Sequence, residues 1–84
     1  MKLWLITTMD DVSWDDYDSA VVAANTEKEA KYIHPNGFDD PFDEKKPNDW
    51  GWGWTTPNRV TAKCIGEAIE GTNKGVICAS YNAG

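Results

Sequence analysis

The sequence predicts an α+β fold, a small antiparallel sheet carrying one short helix in the order β-β-α-β-β, with a tryptophan-rich insertion between the helix and the third strand. Three observations carry that prediction. Four short runs (3–7, 19–24, 59–69 and 75–81) are built from β-branched and other apolar residues in strand-like patterns. One stretch, NTEKEAKYIHP, holds both a helix start and a helix stop. Residues 35–58 then gather all four prolines, three glycines and five aromatics, the composition of a structured insertion. A chain of 84 residues has surface enough for one core only, so residues 1–84 are expected to form a single domain.

The first run, LWLIT (3–7), places apolar residues on both parities: Leu3, Leu5 and Thr7 on one, Trp4, Ile6 and Thr8 on the other. An interior strand covered on both faces is expected. MDDVSWDDYD (9–18) reads as a polar loop with aromatic interruptions, and SAVVAA (19–24) as a second strand able to pair antiparallel with the first. Thr26 is the N-cap of the helix and Glu29 falls where a capping box needs it. Glu27 sits four residues before Lys31 for a helical ion pair. Pro35 disfavours the helical conformation at His34 and stops the helix there, ahead of the turn Pro35-Asn36-Gly37. Two helical turns are not stable alone, so Ala30 and Ile33 must pack on the sheet.

In RVTAKCIGEAI (59–69), Val60, Ala62 and Cys64 are expected inward, Thr61 and Lys63 outward, with Gly66 marking a bulge. EGTNKG (70–75) is turn chemistry and GVICASY (75–81) the last strand. A hairpin centred on Gly71 would set Cys64 opposite Cys78. A disulfide is conceivable only there; otherwise both cysteines read as small buried hydrophobes of a reducing compartment.

Charge narrows the function classes. Residues 1–49 hold twelve acids against five lysines, while residues 50–84 carry a net +1, for −6 overall. So acidic a first half repels phosphate backbones and excludes ordinary DNA or RNA binding, whereas it suits a protein with a basic surface. No run approaches the roughly 20 apolar residues of a membrane span, and the opening lacks the pattern of a signal peptide; a cytoplasmic location is expected, in the host cell if the chain is phage-encoded. A Gly-rich phosphate loop, a Ser-His-Asp order and a metal-ligand cluster are all missing from the sequence, so neither an enzyme nor a cofactor is implied. The single histidine, His34, reads as a surface or capping residue.

Two stretches are candidate binding surfaces. In NDWGWGW (48–54) an extended backbone points Trp50, Trp52 and Trp54 the same way. Such a strip either finishes the protein's own core, over sheet surface the short helix cannot reach, or forms a protein interface, or stacks on a base or sugar ring. In DDVSWDDYD, five aspartates surround Trp14 and Tyr17. Asp15 and Asp16 with those two aromatics could contact a partner rich in lysine and arginine; otherwise the stretch is a solvated loop. It lacks the ligand spacing of a calcium loop.

The opening MKLWLI, the segment VVAANTEKEAKYIHP, the strand VTAKCIGEA and the ending GVICASYNAG together resemble a set of small bacteriophage proteins. That set shares an MKLWL-type start, a valine-rich strand running into a TEEEA-type helix, a tryptophan-bearing middle and a GVI-x-x-S-F-N-A-G-type end. The resemblance covers the two ends and the helix, and Tyr81 stands where phenylalanine is more usual. It implies phage origin and, by analogy, a non-enzymatic accessory factor that binds and inhibits a host protein, including a counter-defence factor of the anti-CRISPR kind. Two other readings stand beside it. One is an oligomeric sponge for a nucleotide signal of host defence, with Arg59, Lys63 or Lys74 meeting the phosphates. The other is a minor structural or assembly protein.

Overall fold

The computed structural model describes residues 1–9, 16–37, 45 and 54–82. In chain order these form β1 (Lys2–Thr8), β2 (Asp16–Ala24), the helix α1 (Glu27–Lys31), a single 3-10 turn (Pro57–Arg59), β3 (Val60–Glu67) and β4 (Gly75–Asn82). The fold is mostly sheet: four antiparallel strands with one α-helix among the described residues. Strand order is β3-β1-β2-β4. The continuous apolar run LWLI therefore lies in a central strand, paired on both sides. Trp4 faces Val22 on β2 and Cys64 on β3; Ile6 faces Ala20 and Ala62.

That order corrects the expected hairpin. β3 and β4 do not pair; they are the two edges of the sheet, with β1 and β2 between them. Ile69–Thr72 does form a turn, closed by the Thr72 N–H donating to the Ile69 carbonyl at 3.1 Å. Gly71 has φ 90° at the third position, where a type II turn requires a positive value. The chain leaving this turn crosses the end of the sheet and does not fold back. Three strand spacings of about 4.8 Å hold the edges roughly 14 Å apart. Cys64 and Cys78 lie far outside disulfide reach, and both are exposed free thiols, not the buried hydrophobes expected.

Alternation along the central strands builds the core on one face. Trp4, Ile6, Ala20, Val22, Ala24 and Val60 are buried in a single cluster with Ala30 of α1, and Ile33, Trp54, Ala62, Val76 and Ala79 pack around it. The Trp4 indole N–H donates to the Ala24 carbonyl at 3.0 Å and ties β1 to the end of β2. Leu3, Leu5 and Val21, on the opposite parity, are only half-buried, so the expectation of a first strand covered on both faces holds fully for one face.

The helix is shorter than its sequence signals suggest. Thr26 caps it as expected, its Oγ1 accepting from the Glu29 N–H at 3.1 Å, and Lys31 meets Glu27 at 3.2 Å. The Glu29 carboxylate faces Lys74 at 3.8 Å. After Lys31 the backbone tightens: Tyr32 and Ile33 donate to Glu29 and Ala30, three residues back, at 3.2 Å each. The α-helix thus ends before His34. The turn at Pro35-Asn36-Gly37 forms, with Gly37 at φ 82° and its N–H bonded to the His34 carbonyl at 3.0 Å.

Both edge strands carry a bulge at nearly the same level. On β3 the register shifts between Leu3 and Trp4, leaving Ile65 as the extra residue beside Gly66; on β4 it shifts between Val21 and Val22, leaving Ile77 extra. The glycine signal located the first. The break on β3 also explains Cys64, which sits at the bulge on an outer strand and escapes the cover given to Val60 and Ala62.

Candidate functional site

Of the aromatic and acidic candidates, Trp14, Asp15, Trp50 and Trp52 lie outside the described residues, as do Phe38 and Phe42 of the insertion. Asp16 and Tyr17 belong to β2, which begins three residues earlier than expected, so they are strand residues and not loop residues. Tyr17 is half-buried. Its ring meets the edge of His34 at a centroid distance of 6.2 Å and an interplanar angle of 87°, which makes it part of the packing under the His34 turn. Trp54 also turns inward, against the helix-side cluster, and its indole N–H is buried with no hydrogen-bond partner among the described residues.

His34 corrects the expectation of a surface histidine: it is 1% exposed. Its Nδ1 accepts the Asn36 backbone N–H at 3.2 Å, so the neutral ring carries its proton on Nε2. Burial lowers its pKa below the usual histidine value, partly opposed by a hydrogen bond to the Asn36 side chain. Neutral, buried and held by Tyr17 and Asn36, His34 is a structural residue of the turn after α1.

The cationic candidates do not converge within one copy. Arg59 precedes β3 at the end of the sheet where Thr8 meets Val60, whereas Lys74 precedes β4 at the other end and the other edge, beside Glu29. About seven residues of strand, roughly 23 Å, separate those levels. Lys63 lies between them on β3, opposite Leu5 and exposed. Among the described residues no group of three or more His, Cys, Asp or Glu side chains could hold a metal ion, and no helix is long and apolar enough to cross a membrane.

The structure adds a surface that sequence reasoning missed. Met1, Met9, Tyr32, Ile65, Ile69 and Ile77 are the exposed large hydrophobics among the described residues; Met1, Ile65, Ile69 and Ile77 lie nearer the end of the sheet where β1 begins, with Ile65 and Ile77 on opposite edges, and Met9 lies at the other end. Met1 and Ala68 are bonded through their backbones at 2.9 Å, which places Ile69 immediately beyond; Ile65 and Ile77 are the two bulge residues. Ile69 is 84% exposed. The available signal was Gly66 and Gly71: an isoleucine beside a strand-breaking glycine loses its alternation and with it its place in the core. Comparison with protein-family models, curated proteins and solved structures returns no match.

Proposed function

We propose that this chain is a non-enzymatic binding protein, a phage accessory factor that docks on a host protein with a basic surface and blocks it. The observation that carries the reading is the apolar end of the sheet, where Met1, Ile65, Ile69 and Ile77 stand exposed on a small and strongly charged molecule. Apolar groups left in water by a chain with little core to spare are the usual anchors of a protein interface. The charge of −6 supplies the second element, drawing a cationic partner and setting its orientation. The phage and counter-defence parts of the reading rest on the sequence resemblance, and the aromatic and acidic contribution on Trp14, Asp15, Asp16, Trp50 and Trp52.

The test is affinity capture from a host lysate, followed by titration calorimetry of the captured protein with three variants: Ile69→Ser, Trp52→Ala and the double reversal Asp15→Lys with Asp16→Lys. Ile69→Ser is expected to weaken binding by roughly 1–2 kcal/mol, since truncating an interface anchor costs that much or more. The charge reversal should act mainly on the association rate and its salt dependence. Unchanged affinity in all three variants would refute the reading.

A further inference from the structure

The two edges of the sheet are built alike and guarded differently. Each edge strand carries one extra residue of its own, with five residues free of another on one side of it: Val60–Cys64 on β3, and Cys78–Asn82 on β4, where a second register shift puts the extra residue, Asp18, on β2 and not on the edge. The β3 stretch contains the exposed Lys63, follows Arg59 and is continued past the bulge by the exposed Glu67. Charged edges of this kind deter pairing with other strands. From Gly75 to Asn82 there is no charge and no proline, and Ile77, Cys78 and Ser80 are exposed. Among the described residues the helix packs chiefly over β1, β2 and β3.

We infer that β4 is a self-pairing edge, on which a second copy of this chain docks antiparallel through its own β4 to make a continuous eight-stranded sheet across a two-fold axis. A second copy is favoured over a foreign strand on three grounds. An antiparallel edge is self-complementary about a dyad, since the same backbone supplies both donors and acceptors. The partner of such an edge is another strand of β-forming, uncharged sequence, which β4 itself is. Two molecules of charge −6 repel each other, and β4 is the strand along which they approach with no charge from either contact strand. Because β3 keeps its charges, assembly stops at the dimer and does not run on into a fibre.

The bulge at Ile77 fixes where the dyad falls. The pairable stretch is Cys78–Asn82, whose midpoint is Ser80. Ser80 therefore opposes Ser80 of the other copy, and Cys78 opposes Asn82 of the other copy. Residues directly opposed in an antiparallel pair have Cα atoms about 4.5 or 5.5 Å apart, within the range a disulfide spans. The native Cys78 is displaced from its own copy by four residues and lies out of reach.

The experiment combines native mass spectrometry over a concentration series with cross-linking. Wild-type protein is expected to show a species of twice the 9.4 kDa chain mass, growing with concentration. In a C64S/C78S background, S80C should close a disulfide dimer under mild oxidant, while wild-type protein with its native cysteines should not. Ser80→Lys, which sets like charges face to face on an exposed position, should lower the association constant about fivefold or more, whereas Thr61→Lys on β3 should not. Thermal melts of both variants check that each remains folded. A protein that stays monomeric throughout, with S80C uncross-linked, overturns the inference. So does a dimer that survives Ser80→Lys or is lost with Thr61→Lys, because its contact then lies elsewhere.

Discussion

The two faces of the sheet are made by the same strands, yet they are different materials. On the helix side Ile6, Val22 and Ala24 are fully buried, and α1 and Trp54 close over them. One residue along, on the other parity, Leu3, Leu5 and Val21 keep part of their surface in water, and among the described strand residues there only Ala23 is fully buried. Among the described residues, α1, Ile33 and Trp54 cover one face of a four-stranded sheet. The difference teaches that an apolar run such as LWLI reports a central position in the sheet more reliably than it reports cover on both faces. Pairing on both edges of β1 is satisfied by its neighbours, whereas cover must come from outside the sheet.

The sharpest way to break the comparison is to truncate one residue on each face. Ile6→Ala removes a side chain with no exposure and is expected to cost about 2–5 kcal/mol, a large share of what a domain of this size possesses. Leu5→Ala, its neighbour on the other face, should cost roughly 1–1.5 kcal/mol, because part of that surface is wet in the folded state as well. Urea denaturation of the two variants side by side decides it. Equal costs would mean that the second face is packed as densely as the first.

Trp4→Phe comes next. It keeps most of the ring volume but removes the indole N–H bonded to the Ala24 carbonyl at 3.0 Å, leaving a buried acceptor short of a partner. The expected loss is about 1–3 kcal/mol, read from the same denaturation curves. Nothing in the sequence announced this bond. Cover for Trp4 was expected only because both faces of its strand were, and a side chain reaching another strand's carbonyl depends on register, which the hydrophobic pattern does not specify to the residue.

The same division runs through the rest of the fold. Signals confined to a few neighbours in the chain were legible: Thr26 capping Glu29, Glu27 paired with Lys31, the turns ending at Gly37 and Gly71, the bulge beside Gly66. What depended on distant partners was not. The turn at Gly71 is the same whether the chain folds back or crosses the sheet, so it could not say that β3 pairs with β1 and β4 with β2. His34 looked like a surface residue because its cover comes from β2, through Tyr17, and not from its own element. At the candidate site, exposed Ile77 follows from a bulge on β4 that no neighbouring glycine announced and that exists only once β4 is paired with β2.

His34 offers a pH-dependent test of the denser face. Its pKa is lowered in the folded state, with burial the larger cause, so below the ordinary value near 6.5 the unfolded chain binds a proton that the folded chain does not. The stabilisation is complete above that pH and is lost as pH falls toward the lower folded value. Carboxylates also titrate in acid, so the useful quantity is the difference between wild type and His34→Gln. Urea midpoints measured between pH 7.5 and 5 should converge as pH falls. Parallel curves would mean that the ring is solvated and that the turn after α1 is open.

The smallest expected effect on folding is the most informative for function. Ile6, Leu5 and Ile69 form a series of rising exposure, and Ile69 stands at its end, 84% exposed in the turn between the two edge strands. If cost follows burial, Ile69→Ser changes stability by no more than about 0.5 kcal/mol in either direction. A side chain so placed contributes almost nothing to its own fold and leaves apolar surface in water. Partner affinity that falls in Ile69→Ser while its denaturation midpoint stays at the wild-type value would place that surface in an interface. A destabilised variant would instead assign Ile69 a packing role and remove the support it lends to the binding reading.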